Sequence, residues 1–138
     1  MNMKIVLDTN CLIASLARTS KSYDVWRGLF EGRYTLCISN EILMEYQEII
    51  AQKTTPEIAD NVVQYLINSK YVEFINTYYR FEMIRADRDD NKFVDCAIAA
   101  NATYIVSNDK HYAPLRNIKY PRLYVLNLME FTEILRQQ

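Results

Sequence analysis

Residues 92–109 read KFVDCAIAANATYIVSND, and this stretch decides the predicted fold. Its first half has apolar residues at the spacing of one helix face, namely Phe93, Cys96, Ala97 and Ala100. Its second half contains a short apolar run, residues 104–107 (YIVS), which is typical of a buried strand and which stops at Asn108 and Asp109. A helix that leads directly into a buried strand indicates an α/β domain built on a parallel sheet.

The same alternation continues on both sides of this stretch. Further buried strands are predicted by the apolar runs at residues 4–7, 35–38, 72–75 and 123–126. Helices are predicted at residues 11–17, 23–31 with Gly32 as the stop, 40–53, 56–69, 92–102 and from 128 onward. The fold class is therefore predicted to be α/β, a three-layer α/β/α sandwich around a mostly parallel sheet of about five strands.

Capping residues stand before three of these helices. Ser39 or Asn40 is expected to cap the third helix, and Thr55 precedes a proline at the first position of the fourth. Asn127, with a glutamate three positions later, forms a capping-box pattern before the last helix.

The composition bounds the class of protein. The 138 residues fit a single domain, residues 1–138, and 50% of them are apolar, which is enough for a core. A net charge of −1 argues against a protein that wraps itself in nucleic acid through overall charge. Cys11, Cys37 and Cys96 are far apart without CxxC spacing, so buried free thiols are predicted rather than a zinc site or disulfides. With neither a signal peptide nor a membrane span, we expect a soluble, cytoplasmic protein.

Four acids are linked to the predicted strands. Asp8 directly follows the first strand, and Asp109 follows the fourth strand after a single asparagine. Glu45 lies on the helix after the second strand, and Asp95 lies on the helix that leads into the fourth. Because ligands of parallel sheets bind beyond the carboxyl ends of the strands, these side chains are expected to form one acidic site.

Asp95 is the most informative of the four, because its helix is apolar on nearly every side. A buried carboxylate without a partner is strongly unfavourable, and a divalent cation such as Mg²⁺, which prefers hard oxygen ligands, is a natural partner. Each acid also has a simpler explanation when it is taken alone, and for Asp95 this explanation is a hydrogen bond to the backbone. Asp8 can be a helix cap, Glu45 a solvated helix residue and Asp109 a turn residue. Asp90 has the position of a cap for the helix that follows it.

The sequence resembles the PIN-domain family over essentially the whole chain. Three segments carry the resemblance: KIVLDTNCLIASL (4–16), ISNEILMEYQEII (38–50) and DDNKFVDCAIAANATYIVSNDKHY (89–112). The layout is similar to the branch of VapC-like toxin components of toxin–antitoxin systems. The resemblance implies a PIN-like sandwich and an endoribonuclease that depends on Mg²⁺ or Mn²⁺. It also implies RNA as the substrate, a homodimer and an antitoxin protein as a further partner.

Carried over position by position, the resemblance implies catalytic, metal-binding acids at Asp8, Glu45, Asp95 and Asp109 and supporting polar residues at Asn10, Ser39 and Ser107. The family often has glycine before the fourth strand and again just before the last acid, where this chain has NATY and Asn108. Asn108 is therefore expected to narrow the site or add a ligand. Asp90 is expected to supplement or replace Asp95 as a metal ligand.

The predicted chemistry is hydrolysis of phosphodiester bonds by a metal-activated water. Candidates for binding RNA phosphates are Arg88, Lys92, Lys110 and His111, although lysines near turns are commonly only solvated. One alternative is a catalytically inactive PIN fold that binds RNA or protein. A minor alternative is an aspartyl-nucleophile phosphatase similar to the haloacid dehalogenases, which needs a second aspartate where this chain has Asn10.

Overall fold

The computed structural model describes residues 3–77, 90–117 and 123–138. Two sequence predictions fall elsewhere. Arg88, predicted to bind RNA, and Asp89, part of the resemblance, lie outside the described residues. All other predicted site residues are within them.

A five-stranded sheet forms the centre of the described structure, and every neighbouring pair of strands is parallel. The strands are β1 (Met3–Leu7), β2 (Tyr34–Ile38), β3 (Val72–Phe74), β4 (Tyr104–Val106) and β5 (Val125–Leu126). Their spatial order is β3-β2-β1-β4-β5. The chain thus builds outward from β1 in one direction and then returns to the other side of β1 for β4. This reversal makes the carboxyl ends of β1 and β4 the topological switch point, where α/β proteins bind ligands.

Helices cover this sheet and complete the predicted α/β/α sandwich. Those described are α1 (Thr9–Ser15), α2 (Tyr23–Phe30), α3 (Asn40–Lys53), α4 (Pro56–Asn68), α5 (Asn91–Ala100), a 3₁₀ helix (Lys110–Asn117) and α6 (Leu128–Arg136). The 3₁₀ helix was not predicted. No described helix has the length and apolar character needed to cross a membrane.

Side chains begin the helices much as the sequence predicted. Ser39, rather than Asn40, caps α3 by accepting the Ile42 N–H at 3.3 Å. Thr55 caps α4 before its proline, and Asn127 and Glu130 form the predicted capping box of α6. The start of α1 differs from the prediction, because α1 begins at Thr9 and is capped by the carboxylate of Asp8.

The core surrounds the central strand. Ile5, Val6 and Leu7 of β1 are at most 1% exposed, and α5 packs across β1, β2 and β4. The three cysteines are buried and free, as predicted. Burial raises the pKa of the Cys37 thiol to about 11, so this thiol stays protonated at neutral pH.

Two left-handed residues end helices in this fold. Asn101 ends α5 with φ 54°, a conformation that asparagine tolerates better than most residues. This explains how the chain keeps the turn into β4 without the glycine that the family often has. Gly32 follows α2 with φ 71°. There the N–H of Arg33 bonds to the Gly28 carbonyl at 2.9 Å and the Gly32 N–H bonds to the Leu29 carbonyl at 3.2 Å, a Schellman ending.

We expect Gly32→Ala to lower the free energy of unfolding by about 1–3 kcal/mol, measured by urea denaturation. A Cβ at this position would lie 2.5 Å from the ring of Tyr71 in a backbone conformation that L residues disfavour. Gly28→Ala is the matched control, because its Cβ would meet no atom closer than 3.4 Å within a helix. That variant should stay within about 1 kcal/mol of the parent. Equal destabilisation by the two substitutions would contradict the assignment.

Candidate metal centre

Asp8 and Asp109 meet at the switch point, at the carboxyl ends of β1 and β4. Ser107 joins them, since its hydroxyl donates to Asp8 Oδ2 at 2.6 Å and accepts the Asp109 N–H at 3.0 Å. Ser107 is 4% exposed, so this connection is shielded from solvent. The sequence predicted Ser107 as a supporting polar residue, and the structure places it between the two acids.

Asp8 is a buried carboxylate that also caps α1. Its Oδ1 accepts the Asn10 N–H at 3.0 Å, and the side chain is 8% exposed. Burial raises the pKa of Asp8, the hydrogen bonds from Ser107 and Asn10 oppose that rise, and the charges of Asp109 and Glu45 add to it. The simpler explanation of Asp8 as a helix cap is therefore true, and the same carboxylate also stands in an acidic cluster.

Glu45 is held from two sides. One of its carboxylate oxygens accepts a hydrogen bond from the hydroxyl of Thr9, and the other lies 2.5 Å from Lys92 Nζ. The Lys92 ammonium is also 5.8 Å from the centre of the Phe93 ring. Lys92 is thus the counter-ion of an acid in the site, whereas the sequence had suggested only a phosphate contact. Thr9 was missed by the sequence analysis, although its place directly after Asp8 was a signal.

Asp90 joins the site from the start of α5. One ligand atom each of Asp90, Asp109 and His111 lies within 4.8 Å of the others, and no other group of acids, histidines or cysteines among the described residues is so close. His111 Nδ1 is 3.2 Å from Asp109 Oδ1 and 3.9 Å from Asp90 Oδ2. This nitrogen is buried and makes no hydrogen bond within the described structure. His111 therefore belongs to the same close group as Asp90 and Asp109.

Tyr112 lies under the acidic cluster and was not predicted from the sequence. Its side chain is fully buried, and its hydroxyl donates to the Asp90 carbonyl at 3.4 Å. Burial raises the pKa of Tyr112 well above its usual range. The charges of Asp90, Asp8, Asp109 and Glu45 add to this rise in the pKa. The sequence feature that could have pointed to Tyr112 is its position three residues after Asp109.

Asp95 is buried in α5 at 5% exposure, as its apolar surroundings predicted. It does not belong to the close group formed by Asp90, Asp109 and His111, and neither do Asp8 and Glu45. Asp90 stands just before α5, whereas Asp95 lies within the helix. The ligand role of Asp95 stays a prediction.

The remaining predicted polar residues face other partners. Asn10 is exposed, and its side-chain oxygen accepts from Lys53 Nζ at 2.9 Å. Ser39 is occupied as the cap of α3. The side-chain oxygen of Asn108 accepts the Leu128 N–H at 2.9 Å, so it ties the end of β4 to α6. Lys110 is exposed and forms no ion pair with any described residue, which leaves its ammonium available to a phosphate.

The donor set fits a hard divalent cation. Carboxylate oxygens of Asp8, Asp90 and Asp109 are of the kind that Mg²⁺ and Mn²⁺ prefer, and the imidazole of His111 is compatible with Mn²⁺. The buried His111 Nδ1, which has no hydrogen bond in the described structure, is an atom that a cation would satisfy. Burial also raises the pKa of Asp8, and a cation close to this carboxyl would stabilise its charged form.

Comparisons with known proteins agree with this architecture. A family model described as "PIN domain" matches residues 4–111. A search of curated protein sequences found no match. Among solved structures, the crystal structure of VapBC2 from Rickettsia felis bound to a DNA fragment from their promoter is similar with a TM-score of 0.62 and 20% identity, over 91% of this chain and 98% of that chain.

Two other solved structures are similar at lower identity. The PIN domain of human SMG5 has a TM-score of 0.56 and 10% identity, over 95% of this chain and 97% of that chain. The PIN domain endonuclease Utp24 has a TM-score of 0.54 and 16% identity, over 90% of this chain and 84% of that chain. At these identities, the structural matches show that the fold is shared.

In the metal-free protein, we expect Asp8→Asn to raise the melting temperature at pH 7–8. A carboxyl whose pKa is raised by folding destabilises the folded state above that pKa. This penalty disappears as the pH falls through the folded pKa toward 3.8, so the advantage of the variant should shrink over that range.

Asp24→Asn is the control of opposite sign, because the hydrogen bond from Arg136 lowers the pKa of Asp24. Loss of this interaction should lower the melting temperature at neutral pH, and the difference from the parent should decrease in acid. Thermal melts of both variants from pH 8 to pH 3, with a chelator present, make the comparison. A lower melting temperature for Asp8→Asn throughout this range would contradict the buried-charge assignment.

Proposed function

Because the chain belongs to the PIN-domain family, we propose that it is a metal-dependent endoribonuclease, which hydrolyses phosphodiester bonds in RNA. The observation that carries this proposal is the close group formed by Asp90, Asp109 and His111 at the switch point, with Asp8 joined to Asp109 through Ser107. Carboxylates this close together repel one another unless a cation neutralises them, and exposed Lys110 directly follows Asp109 in the chain.

The residues that would hold a Mg²⁺ or Mn²⁺ ion are Asp8, Asp90 and Asp109, with His111 beside them. Such an ion supplies Lewis acidity, which polarises a bound phosphate and lowers the pKa of a water. The protein contributes orientation. Ser107 fixes Asp8 relative to Asp109, while Thr9 and Lys92 fix Glu45 at the edge of the cluster. Lys110 is available to the negatively charged RNA backbone.

The biological setting is also a proposal. The similarity to VapBC2 from Rickettsia felis supports a toxin of a type II toxin–antitoxin system, with an antitoxin protein as a partner. We place this toxin in the cytoplasm, as a homodimer of chains in which residues 1–138 form one domain. Growth arrest on expression, relieved by Asp8→Asn or by the product of an adjoining small gene, is the observation that would support this setting.

We expect Asp8→Asn to lower metal-dependent cleavage of RNA by at least about 100-fold, because even residues that only support metal ligands change activity by about 10–100-fold. Asp60→Asn is the matched control, since Asp60 is exposed on α4 and accepts a hydrogen bond from the Gln47 side chain. Cleavage of a fluorescent RNA in Mn²⁺, with and without a chelator, gives the rates. Undiminished cleavage by highly purified Asp8→Asn would sink the assignment, and a parent inactive on all RNAs would favour an inactive binding module.

A second pair of variants distinguishes the two acids of α5. We expect Asp90→Asn to weaken Mn²⁺ binding by more than about tenfold and Asp95→Asn to weaken it less, because only Asp90 lies within the close group with Asp109. Titration calorimetry with Mn²⁺ measures both affinities. The reverse order of effects would make Asp95 the ligand, as the family resemblance implied.

A further inference from the structure

A cavity of about 440 Å³ opens directly beside the metal centre. It lies between the end of β4, the 3₁₀ helix and the start of α6. Asp109, a member of the acidic cluster, lines one side of it, and Ser107 contributes as well. Because Asp109 belongs both to the acidic cluster and to the cavity lining, a nucleotide next to a phosphate held at the acids can reach this opening. The cavity is large enough to receive a single base.

Two asparagine side chains line this cavity in a fixed orientation. The Asn127 oxygen accepts the Glu130 N–H at 2.8 Å, and the Asn108 oxygen accepts the Leu128 N–H at 2.9 Å. Each amide oxygen is therefore committed to the backbone of α6. The NH₂ group of each side chain makes no hydrogen bond within the described residues, so it remains a donor for a ligand.

Lys110 adds a third donor to the same lining. It is exposed and has no ion-pair partner in the described part of the chain. The side-chain groups that the cavity offers to a neutral ligand are thus mainly donors. Its one carboxylate, Asp109, belongs to the metal centre, and the Ser107 hydroxyl already donates to Asp8.

The remaining lining is apolar and suits the face of a base. Val125 and Met129 border the cavity, and Met129 is 47% exposed although it is a large apolar residue. A flexible, polarisable thioether packs well against aromatic rings. A nucleobase has a flat apolar face and polar atoms at its edge, so its face suits the apolar lining and its edge suits the hydrogen-bond donors.

We propose that this cavity is a nucleobase subsite, which receives a base next to the scissile phosphate and prefers the keto bases guanine and uracil. The proposal rests on the proposed ribonuclease function. Guanine presents the carbonyl O6 beside N7, an acceptor that adenine shares, and uracil presents the carbonyl O4, so O6 and O4 set these two bases apart. Adenine and cytosine carry an exocyclic amine at the corresponding position, which would face the amide donors of Asn108 and Asn127 without a partner.

The first test is the base preference of cleavage. RNAs of randomised sequence are digested with Mn²⁺, and sequencing of the ends gives the base on each side of every cleaved bond. We expect guanine and uracil to be enriched about threefold to tenfold at one flanking position, which is the effect of about one hydrogen bond. Equal use of all four bases on both sides would overturn the proposal.

The matched variant is Asn127→Asp. An aspartate keeps the oxygen that caps α6 but replaces the NH₂ donor with an acceptor. We expect the preference to shift toward adenine and cytosine, whose amines can donate to it. Asn61→Asp adds the same charge at an exposed position of α4 and should leave the preference unchanged. Because the preference is a ratio within one digest, a general change in rate does not affect it. An unchanged preference in Asn127→Asp would overturn the proposal.

A binding measurement separates this proposal from the ribonuclease function. The Asp8→Asn variant is titrated with guanosine, uridine, adenosine and cytidine, and the side-chain amide signals of Asn127 and Asn108 are followed by NMR. We expect guanosine and uridine to shift these signals and to bind at least about threefold more tightly than adenosine and cytidine. A parent that cleaves no RNA would defeat the proposed function, and this titration would then decide the subsite alone. If none of the four nucleosides shifts the amide signals of Asn127 and Asn108, the subsite proposal is overturned.

Discussion

The buried carboxylate of Asp8 is the constraint on which the rest of the site depends. It stands at the end of the central strand, where a charge is costly, and its hydrogen bonds serve two purposes at once. One bond starts α1, and the other holds the end of β4 through Ser107. The buried Tyr46 hydroxyl donates to the carbonyl of Leu7, the residue before Asp8, at 2.5 Å. This bond satisfies the last carbonyl of β1 from within the core. The fold therefore presents a charge that a metal ion would neutralise, at a cost to its own metal-free stability.

The parts of the site that follow from strand ends were predictable. An apolar run shows where a buried strand stops, and parallel strands bring their carboxyl ends to the same edge of a sheet. Asp8 and Asp109 were found in this way, and the observed pairing of β1 with β4 makes them neighbours. The caps at Ser39 and Asn127 were predictable for a similar reason, because a cap bonds to a backbone group only three residues away.

The parts that depend on how helices pack against other elements were harder to predict, although Glu45 was named from its helix and lies at the edge of the cluster. A helix that is apolar on most sides shows that Asp95 is buried, but not toward which neighbour its side chain points. Asp90 stands at the cap position of α5, but its side chain makes no capping hydrogen bond. The sequence analysis named it as a candidate metal ligand, and no local pattern showed that it lies close to Asp109 and His111. The contact of Lys92 with Glu45 joins two helices 47 positions apart in the chain, so no spacing within one helix contains it. Such contacts depend on how whole elements pack.

The central position of β1 has a consequence for when the site forms during synthesis. The strand made first is flanked by one made about a hundred residues later, since Ile5 pairs with Tyr104. Contacts between such distant positions form slowly, and an emerging chain has no means of making them early. Until the segment through Asp109 has left the ribosome, Asp8 lacks Ser107 and the cluster lacks most of its members. We therefore expect the acidic cluster to assemble only after the two halves of the sheet have joined.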